Sequence, residues 1–249
     1  MKLCRKWLHG CDTHHKCKPV DDSPMPRRLI DVKIEKDRFG RSDPNALRLD
    51  CSLRRPDRRY IALTHRWDHP DSHEQFCLHA DSLDQWMRYI DCKKLPQTFQ
   101  DAVRVTRGLG LRYIWIDSLC IIQESKADVE AEIRKMEDVF RGSYLTISAT
   151  CATGTTDGFL KHRMPRGCFP LSFPLTERTS ARIWLCDPID DFRRDVEQSA
   201  LSRRGWVFQE RALSRRILHF TSTQVYWECG EGIKCETLTE MFKYVIAAC

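Results

Sequence analysis

A single carboxylate interrupts an apolar run in the stretch YIWIDSLCII, residues 113–122. The first four side chains show no polar alternation, which is typical of a strand buried on both faces. Asp117 and Ser118 follow at the end of this predicted strand. Because ligands bind beyond the carboxyl ends of strands in open parallel sheets, both residues are predicted to contact a ligand. A turn-capping role for Asp117 is the alternative.

A second predicted strand ends in polar and aromatic side chains. The stretch YIALTHRW places His65, Arg66 and Trp67 directly after an apolar run. An aromatic ring can stack on a base, a guanidinium can bind phosphate, and carboxylates can hold ribose hydroxyls. The two strand ends therefore predict a nucleotide or sugar site. Neither GxGxxG nor GxxxxGK[ST] occurs, so a Rossmann-type or ATP-type phosphate loop lacks its signature.

A third candidate, Glu132, lies in the stretch DVEAEIRKMEDVF, residues 128–140. Counted at 100° per residue, this stretch predicts one helix with an apolar stripe. The stripe comprises Val129, Ile133, Met136, Val139 and Phe140. Glu132 falls inside the stripe, whereas Asp128 and the other acidic side chains fall outside it. A carboxylate placed there must pair with a cation or open onto a cleft, because unpaired burial is costly.

Strand and helix patterns alternate along the chain and must position these candidates. Predicted strands cover residues 29–34, 46–49, 60–63, 113–116 and 143–149. A helix is predicted between the strands at 60–63 and 113–116, with Thr98 as its N-cap and Gly110 at its end. Such alternation favours an α/β fold, a mostly parallel sheet with helices on its faces. The C-terminal part predicts a short strand at 181–187, a helix at 202–214 and a hairpin over 216–229.

The C-terminal helix carries the block RGWVFQER, which contains Arg204, Trp206, Gln209 and Glu210. Its polar residues are interpreted as a salt-bridged packing element that closes the end of the sheet. Direct contact with substrate is the alternative.

Thirteen cysteines are spread over the chain, and the N-terminus lacks the apolar region of a secretory signal. We therefore expect a cytoplasmic protein with mostly reduced thiols and no membrane span. No bound metal is predicted. The segment CDTHHKC, residues 11–17, offers only a weak candidate set, Cys11, His14 and Cys17, which Cys4 could complete; a partly buried helix is the alternative. Cys120, beside apolar residues, is interpreted as an inert buried thiol rather than a nucleophile paired with His65.

The net charge of +6 arises from 41 basic and 35 acidic residues that are scattered along the chain. No basic arm or basic helical stripe is present, so we expect no nucleic-acid binding. A chain of 249 residues can hold one large domain or two small ones. The predicted organisation is an N-terminal extension and linker at 1–28, a domain at 29–236 and a tail at 237–249.

Long strings of the chain resemble the fungal heterokaryon incompatibility (HET) domain. They are YIALTHRW, LPQTFQDAVRVTRGLGLRYIWIDSLCIIQ, DVEAEIRKMEDVF, SYLTISA, RGWVFQERALSRRILHF and VYWEC with a following CE, and they cover roughly residues 60–236. HET domains are similar to TIR domains, which implies a flavodoxin-like, mostly parallel sheet flanked by helices; the C-terminal helix and hairpin predicted from the sequence pattern are an elaboration of it. Val129, Asp68 and Phe140 depart from the family pattern, which usually has tryptophan, glycine and tyrosine there.

The resemblance implies an effector of fungal allorecognition and programmed cell death. Many TIR domains cleave NAD with one glutamate, and the matching position here is Glu132. NAD is then the expected substrate rather than a cofactor, and the binding residues are His65, Arg66, Trp67, Asp117 and Ser118, supported by the RGWVFQER block. Expected partners are further copies of the chain or other incompatibility proteins. The alternatives are a non-enzymatic death-signalling module that acts by self-association and an inactive family member.

Overall fold

The structure, a computed structural model, describes residues 1–13, 17, 23–33, 42–52, 57–68, 76–163, 168–176, 179–186, 190–237 and 240–241. The strands are β1 (Leu29–Asp31), β2 (Ala46–Asp50), β3 (Tyr60–Thr64), β4 (Ile90–Asp91), β5 (Tyr113–Trp115), β6 (Leu145–Ser148), β7 (Cys168–Thr176), β8 (Thr179–Cys186), β9 (Arg216–Phe220), β10 (Val225–Cys229), β11 (Gly232–Cys235) and β12 (Glu240–Met241). The α-helices are α1 (Lys2–Asp12), α2 (Leu83–Arg88), α3 (Gln97–Leu109), α4 (Asp117–Cys120), α5 (Lys126–Ile133), α6 (Met136–Gly142) and α7 (Gly205–Leu213).

A ten-stranded sheet forms the centre of the fold, in the order β12-β11-β10-β9-β6-β3-β5-β1-β2-β4. Its four central strands, β9, β6, β3 and β5, run parallel to one another. In chain order these four are arranged 2-1-3-4, the order found in flavodoxin-like sheets. The predicted α/β fold with a parallel sheet is therefore confirmed at the centre. Antiparallel strands extend both edges, because tight connections such as that from β9 to β10 cannot join parallel strands.

Strands β3 and β5 form where apolar side chains follow one another without alternation, whereas β6 and β9 also contain polar side chains that are buried. Every residue of β3, β5, β6 and β9 is buried. Helices cover these strands; Trp115 of β5, for example, meets Phe140 of α6 edge to face with ring centroids 5.8 Å apart. Burial on both faces confirms the predicted strand types and places the carboxyl ends of β3 and β5 side by side.

Helix α3 begins earlier than predicted. Its N-cap is Pro96 rather than Thr98, which lies inside the helix. The Thr98 backbone N–H donates to Thr155 O at 2.9 Å, and its hydroxyl donates to Gly154 O at 2.9 Å. The loop after β6 therefore satisfies the helix start, and no capping side chain is needed. The predicted stop at Gly110 is confirmed, since this residue is left-handed with φ 79°.

Two glycines give a matched test of backbone conformation. Gly110→Ala is expected to lower the free energy of unfolding by about 1 kcal/mol, because an alanine is strained at positive φ. Gly10→Ala, in α1, is expected to raise it by about 0.5 kcal/mol, because alanine favours helix. An added Cβ meets nothing within 4 Å at either site, so packing does not differ. Denaturant unfolding followed by circular dichroism measures both; changes of the same sign would contradict the conformational explanation.

The prediction of a single helix over residues 128–140 is wrong. It is split into α5 and α6, and the side chains that α5 buries are Asp128 and Glu132. Ile133, predicted in the buried stripe, is 46% exposed, and Asp128, predicted outside it, is 8% exposed. The reason is a partner that the helical count does not include: Arg28, just before β1, pairs with Asp128 in the interior.

The N-terminal helix is part of the main core. Helix α1 packs Cys4, Trp7, Leu8 and Cys11 into the main core, and the ring centroids of Trp7 and of Trp227 in β10 lie 6.4 Å apart.

The predicted strand at 181–187 is β8, which forms a hairpin with β7. Strand β7 was missed because its two prolines are unusual within a strand. The predicted helix at 202–214 and hairpin over 216–229 are present as α7 and as β9 with β10. Most of the predicted tail, 237–249, lies outside the described residues. None of the helices described has the length and apolar character needed to cross a bilayer.

Candidate functional site

A cavity of about 220 Å³ lies at the carboxyl ends of β3 and β5, beneath α5, α6 and α7. The lining is mostly apolar with a few polar groups, as in many small-molecule sites. Its polar and aromatic lining residues are Thr64, His65, Trp67, Trp115, Asp117, Gln123, Phe140, Arg204, Trp206 and Glu210. The position is the one predicted from the two strand ends.

Asp117 and Trp67 are held together at this edge of the sheet. The Trp67 indole Nε1–H donates to Asp117 Oδ2 at 2.7 Å, and the Ser118 backbone N–H donates to Asp117 Oδ1 at 2.7 Å. Both carboxylate oxygens therefore have fixed donors, although a quarter of the side chain is exposed. The ring of His65 stacks beside Trp67 at 6.5 Å with an interplanar angle of 15°. Three of the predicted binding residues thus meet.

His65 is neutral in this environment. Burial lowers the pKa of its imidazole, and the nearby charge of Asp117 only partly opposes this effect. Its Nδ1 lies 3.8 Å from Asp117 Oδ1, too far for a strong hydrogen bond. Within the described residues, His65 Nε2 and Trp115 Nε1 are buried without a hydrogen-bond partner. Buried polar atoms normally have partners, so these two groups in the cavity lining point to a ligand or ordered water.

Glu210 is the second carboxylate in the lining. Burial raises the pKa of this side chain to about 7, the negative charge of Asp117 adds to the rise, and the Thr64 hydroxyl and Arg204 oppose it. The carboxyl is therefore partly ionised at neutral pH. Among the described residues no salt bridge joins Glu210 or Arg204 to a partner, but Arg211 of the same block pairs with Glu228 of β10, with Nε 2.8 Å from Oε2, so the packing interpretation and direct substrate contact both stay predictions. Arg204 instead donates from Nη1 to His65 O at 3.2 Å.

A second hollow of about 420 Å³ adjoins the cavity. The two share the side chains of Ile133, Met136, Phe140, Trp206 and Glu210. Trp206 is 62% exposed, so a large aromatic face stands between the hollows in contact with solvent. Arg134 and Gln209 line only the second hollow. The pair of hollows offers room for a ligand that is longer than a single nucleoside.

Glu132 does not line either hollow. Its side chain is 2% exposed, and its carboxylate lies 3.5 Å from Lys135 Nζ. The α5 side chains that reach the cavity are Val129 and Ile133 instead. Burial of Glu132 agrees with the helical count, whereas its catalytic role stays a prediction.

The other predicted site residues fall into two groups, those that line a hollow and those that do not. Arg66 and Ser118 are not among the lining residues, while Trp206 and Glu210 of the RGWVFQER block line both hollows. Gln123 lines the cavity and donates to Asp117 O at 3.3 Å, although its sequence context gave no reason to select it. Two positions that depart from the family pattern, Val129 and Phe140, also line the cavity.

The cysteines show two different environments. Burial raises the pKa of the Cys120 thiol to about 12, which agrees with an inert core residue. Cys11 and Cys17 lie beside Cys229, with the three sulfur atoms within 4.8 Å of one another. Cys4 does not belong to this cluster, and the weak candidate His14 lies outside the described residues.

Comparison with known families gives one match. The model of the heterokaryon incompatibility protein (HET) family matches residues 60–210, which is more than half of the chain. The match includes β3, β5, the helices around the cavity and Glu210. Comparisons with curated proteins and with solved structures give no match. The chain belongs to the heterokaryon incompatibility (HET) family.

Proposed function

We propose that this chain is an effector of fungal incompatibility that hydrolyses NAD, or a closely related dinucleotide, in the cavity beyond β3 and β5. The observation that carries this proposal is the convergence of two carboxylates, Asp117 and Glu210, with two tryptophans, Trp67 and Trp206, on one hollow. Carboxylates can stabilise a cationic sugar, and indole rings can stack on planar heterocycles.

The reaction breaks the bond between the ribose C1′ and the nicotinamide nitrogen. The bonding electrons pass to the nicotinamide ring, which leaves as a neutral molecule, and the ribose acquires oxocarbenium character. Asp117 is anchored by Trp67 and the Ser118 N–H, so it presents a fixed charge to that cation. Water then adds to C1′. Glu210, whose pKa is raised to about 7, is suited to take the proton of this water.

The adjoining hollow can take the remainder of the dinucleotide. Arg134 at its rim supplies a cation for the pyrophosphate, and the exposed face of Trp206 can stack on a base. Neutral His65 can hydrogen-bond a ligand from Nε2 without adding a charge near the reacting ribose. Glu132, which the resemblance to TIR domains predicts as the catalytic carboxylate, is a competing assignment. A cytoplasmic location, where NAD is available, is part of the proposal.

The test is NAD turnover by the purified full chain, held at high local concentration on a crowded surface, with nicotinamide and ADP-ribose measured by chromatography. We expect turnover whose kcat/KM rises with pH and levels off above about pH 7. The sign follows from the active form: the base must be ionised, and Glu210 loses its proton only as the pH passes its raised pKa of about 7. A rate that falls over the same interval would contradict a role for ionised Glu210.

A second function, signalling by self-association, is favoured by the β7–β8 hairpin. Phe169, Leu171 and Phe173 of β7 alternate along the strand, and Ile183 and Leu185 of β8 lie opposite them in register. These five side chains are 39–72% exposed, so they form an apolar face that can pack on a second copy. If the purified chain releases no nicotinamide from NAD at any pH, while expression of the chain still kills cells, self-association would be favoured over hydrolysis.

A further inference from the structure

We propose that Cys11, Cys17 and Cys229 form a zinc site that joins the N-terminal segment to the central sheet. The three sulfur atoms lie within 4.8 Å of one another, and all three side chains are buried. All three are free thiols in the structure. They come from separate parts of the chain: Cys11 from the last turn of α1, Cys17 from the segment after it, and Cys229 from the end of β10.

The spacing suits a tetrahedral metal with sulfur ligands. Zinc–sulfur bonds of about 2.3 Å at tetrahedral angles place ligand sulfurs about 3.8 Å apart. The observed limit of 4.8 Å is met by small side-chain movements around a bound ion. Two of the ligands sit at the ends of regular elements that pack in the main core, so their backbone positions are fixed by packing. The three cysteine sulfurs would thereby supply three of the four tetrahedral ligands of the ion.

The surroundings compensate the charge that such a site would carry. Three thiolates around Zn²⁺ leave one net negative charge, which is costly to bury without a cation nearby. Arg216 is 1% exposed, and its guanidinium donates from Nε to Cys17 O at 2.8 Å and from Nη2 to Cys11 O at 3.5 Å. It also pairs with Asp12 at 2.8 Å. The arginine thus holds the backbone of two ligands, and its positive charge, which it shares with the partly exposed Asp12, lies beside them.

The choice of zinc follows from ligand chemistry. Thiolates are soft ligands that favour zinc and Cu(I) over magnesium or calcium. Structural zinc sites are commonly rich in cysteine, as this buried cluster is. A site that links α1 to β10 would contribute directly to folding, because the ligands meet only in the folded chain.

The experiment uses the full chain, purified under reducing conditions without a metal-binding tag and equilibrated with zinc before exhaustive dialysis. Elemental mass spectrometry is expected to find about one zinc ion per chain in the wild-type protein. Cys229→Ser is expected to weaken zinc binding at least tenfold. Cys4→Ser is the matched control: Cys4 is buried in the same helix but lies seven residues before Cys11, about 10 Å along the axis. It is expected to keep the zinc.

A second measurement does not depend on whether the serine variant folds. Cobalt titrated into the reduced wild-type chain is expected to give an intense thiolate-to-metal charge-transfer band, and zinc is expected to remove it. Wild type without zinc or cobalt signal, copper in place of zinc, or equal loss of zinc in Cys4→Ser would each overturn the assignment.

Discussion

Replacing Glu210 by glutamine is expected to lower kcat/KM for NAD by about 10²- to 10⁴-fold, the usual contribution of a general base. The amide keeps the size of the side chain, so the cavity wall and the shared boundary of the two hollows remain in place. What is lost is the group that takes a proton from the attacking water. Because the glutamine does not titrate, the residual rate is expected to lose the rise with pH near 7.

Two further isosteric variants make this test specific. Glu130→Gln, on the exposed face of α5, removes a carboxylate that lines neither hollow and is expected to leave the rate unchanged. Glu132→Gln tests the assignment that the resemblance to TIR domains implies. If Glu132→Gln loses more activity than Glu210→Gln, the water-activating role belongs to α5, and the assignment of Glu210 fails while hydrolysis of NAD stands.

The sequence was sufficient to predict the centre of the fold and one half of the cavity. Unbroken apolar runs identified β3 and β5, and the polar residues after these two strands meet because parallel neighbours end at the same edge. The contact of Asp117 with Trp67 follows from this topology. Such inferences succeed when a local pattern and the sheet geometry alone determine the neighbours.

The other half of the cavity depends on contacts between distant segments. The role proposed for Glu210 rests on its burial near Asp117, which no pattern within RGWVFQER indicates. The split between α5 and α6 has the same origin, because Asp128 turns inward to meet Arg28 from a segment a hundred residues earlier. Helical periodicity counts apolar side chains and therefore cannot identify a face that is buried through an ion pair.

The ion pair between Arg28 and Asp128 is expected to be a major stabilising contact. Arg28 Nη2 lies 2.6 Å from Asp128 Oδ1, both side chains are less than a tenth exposed, and Arg28 Nη1 also donates to Cys120 O at 2.8 Å. Burial by itself lowers the pKa of Arg28, but the hydrogen bonds and charge of Asp128, with the charge of Glu132, raise it above its ordinary value. The guanidinium is thus the buried ion-pair partner of Asp128 and also lies in the field of Glu132, whose own paired cation is Lys135.

Arg28→Ala is expected to lower the free energy of unfolding by about 3 to 5 kcal/mol, because it removes the buried cation of Asp128 and leaves only the exposed Arg27 beside that carboxylate. Arg27→Ala is the matched control: Arg27 contacts the same Asp128 at 3.3 Å from a side chain that is 59% exposed, and its loss is expected to change stability by about 1 kcal/mol or less. Denaturant unfolding at neutral pH measures both variants. Glu132→Gln, made in the Arg28→Ala background, is expected to restore part of the loss, since it removes a buried negative charge that acts on the same arginine as Asp128. Equal effects of the two arginine variants, or no recovery in the double variant, would show that α5 is held by apolar packing and that Glu132 does not depend on Arg28.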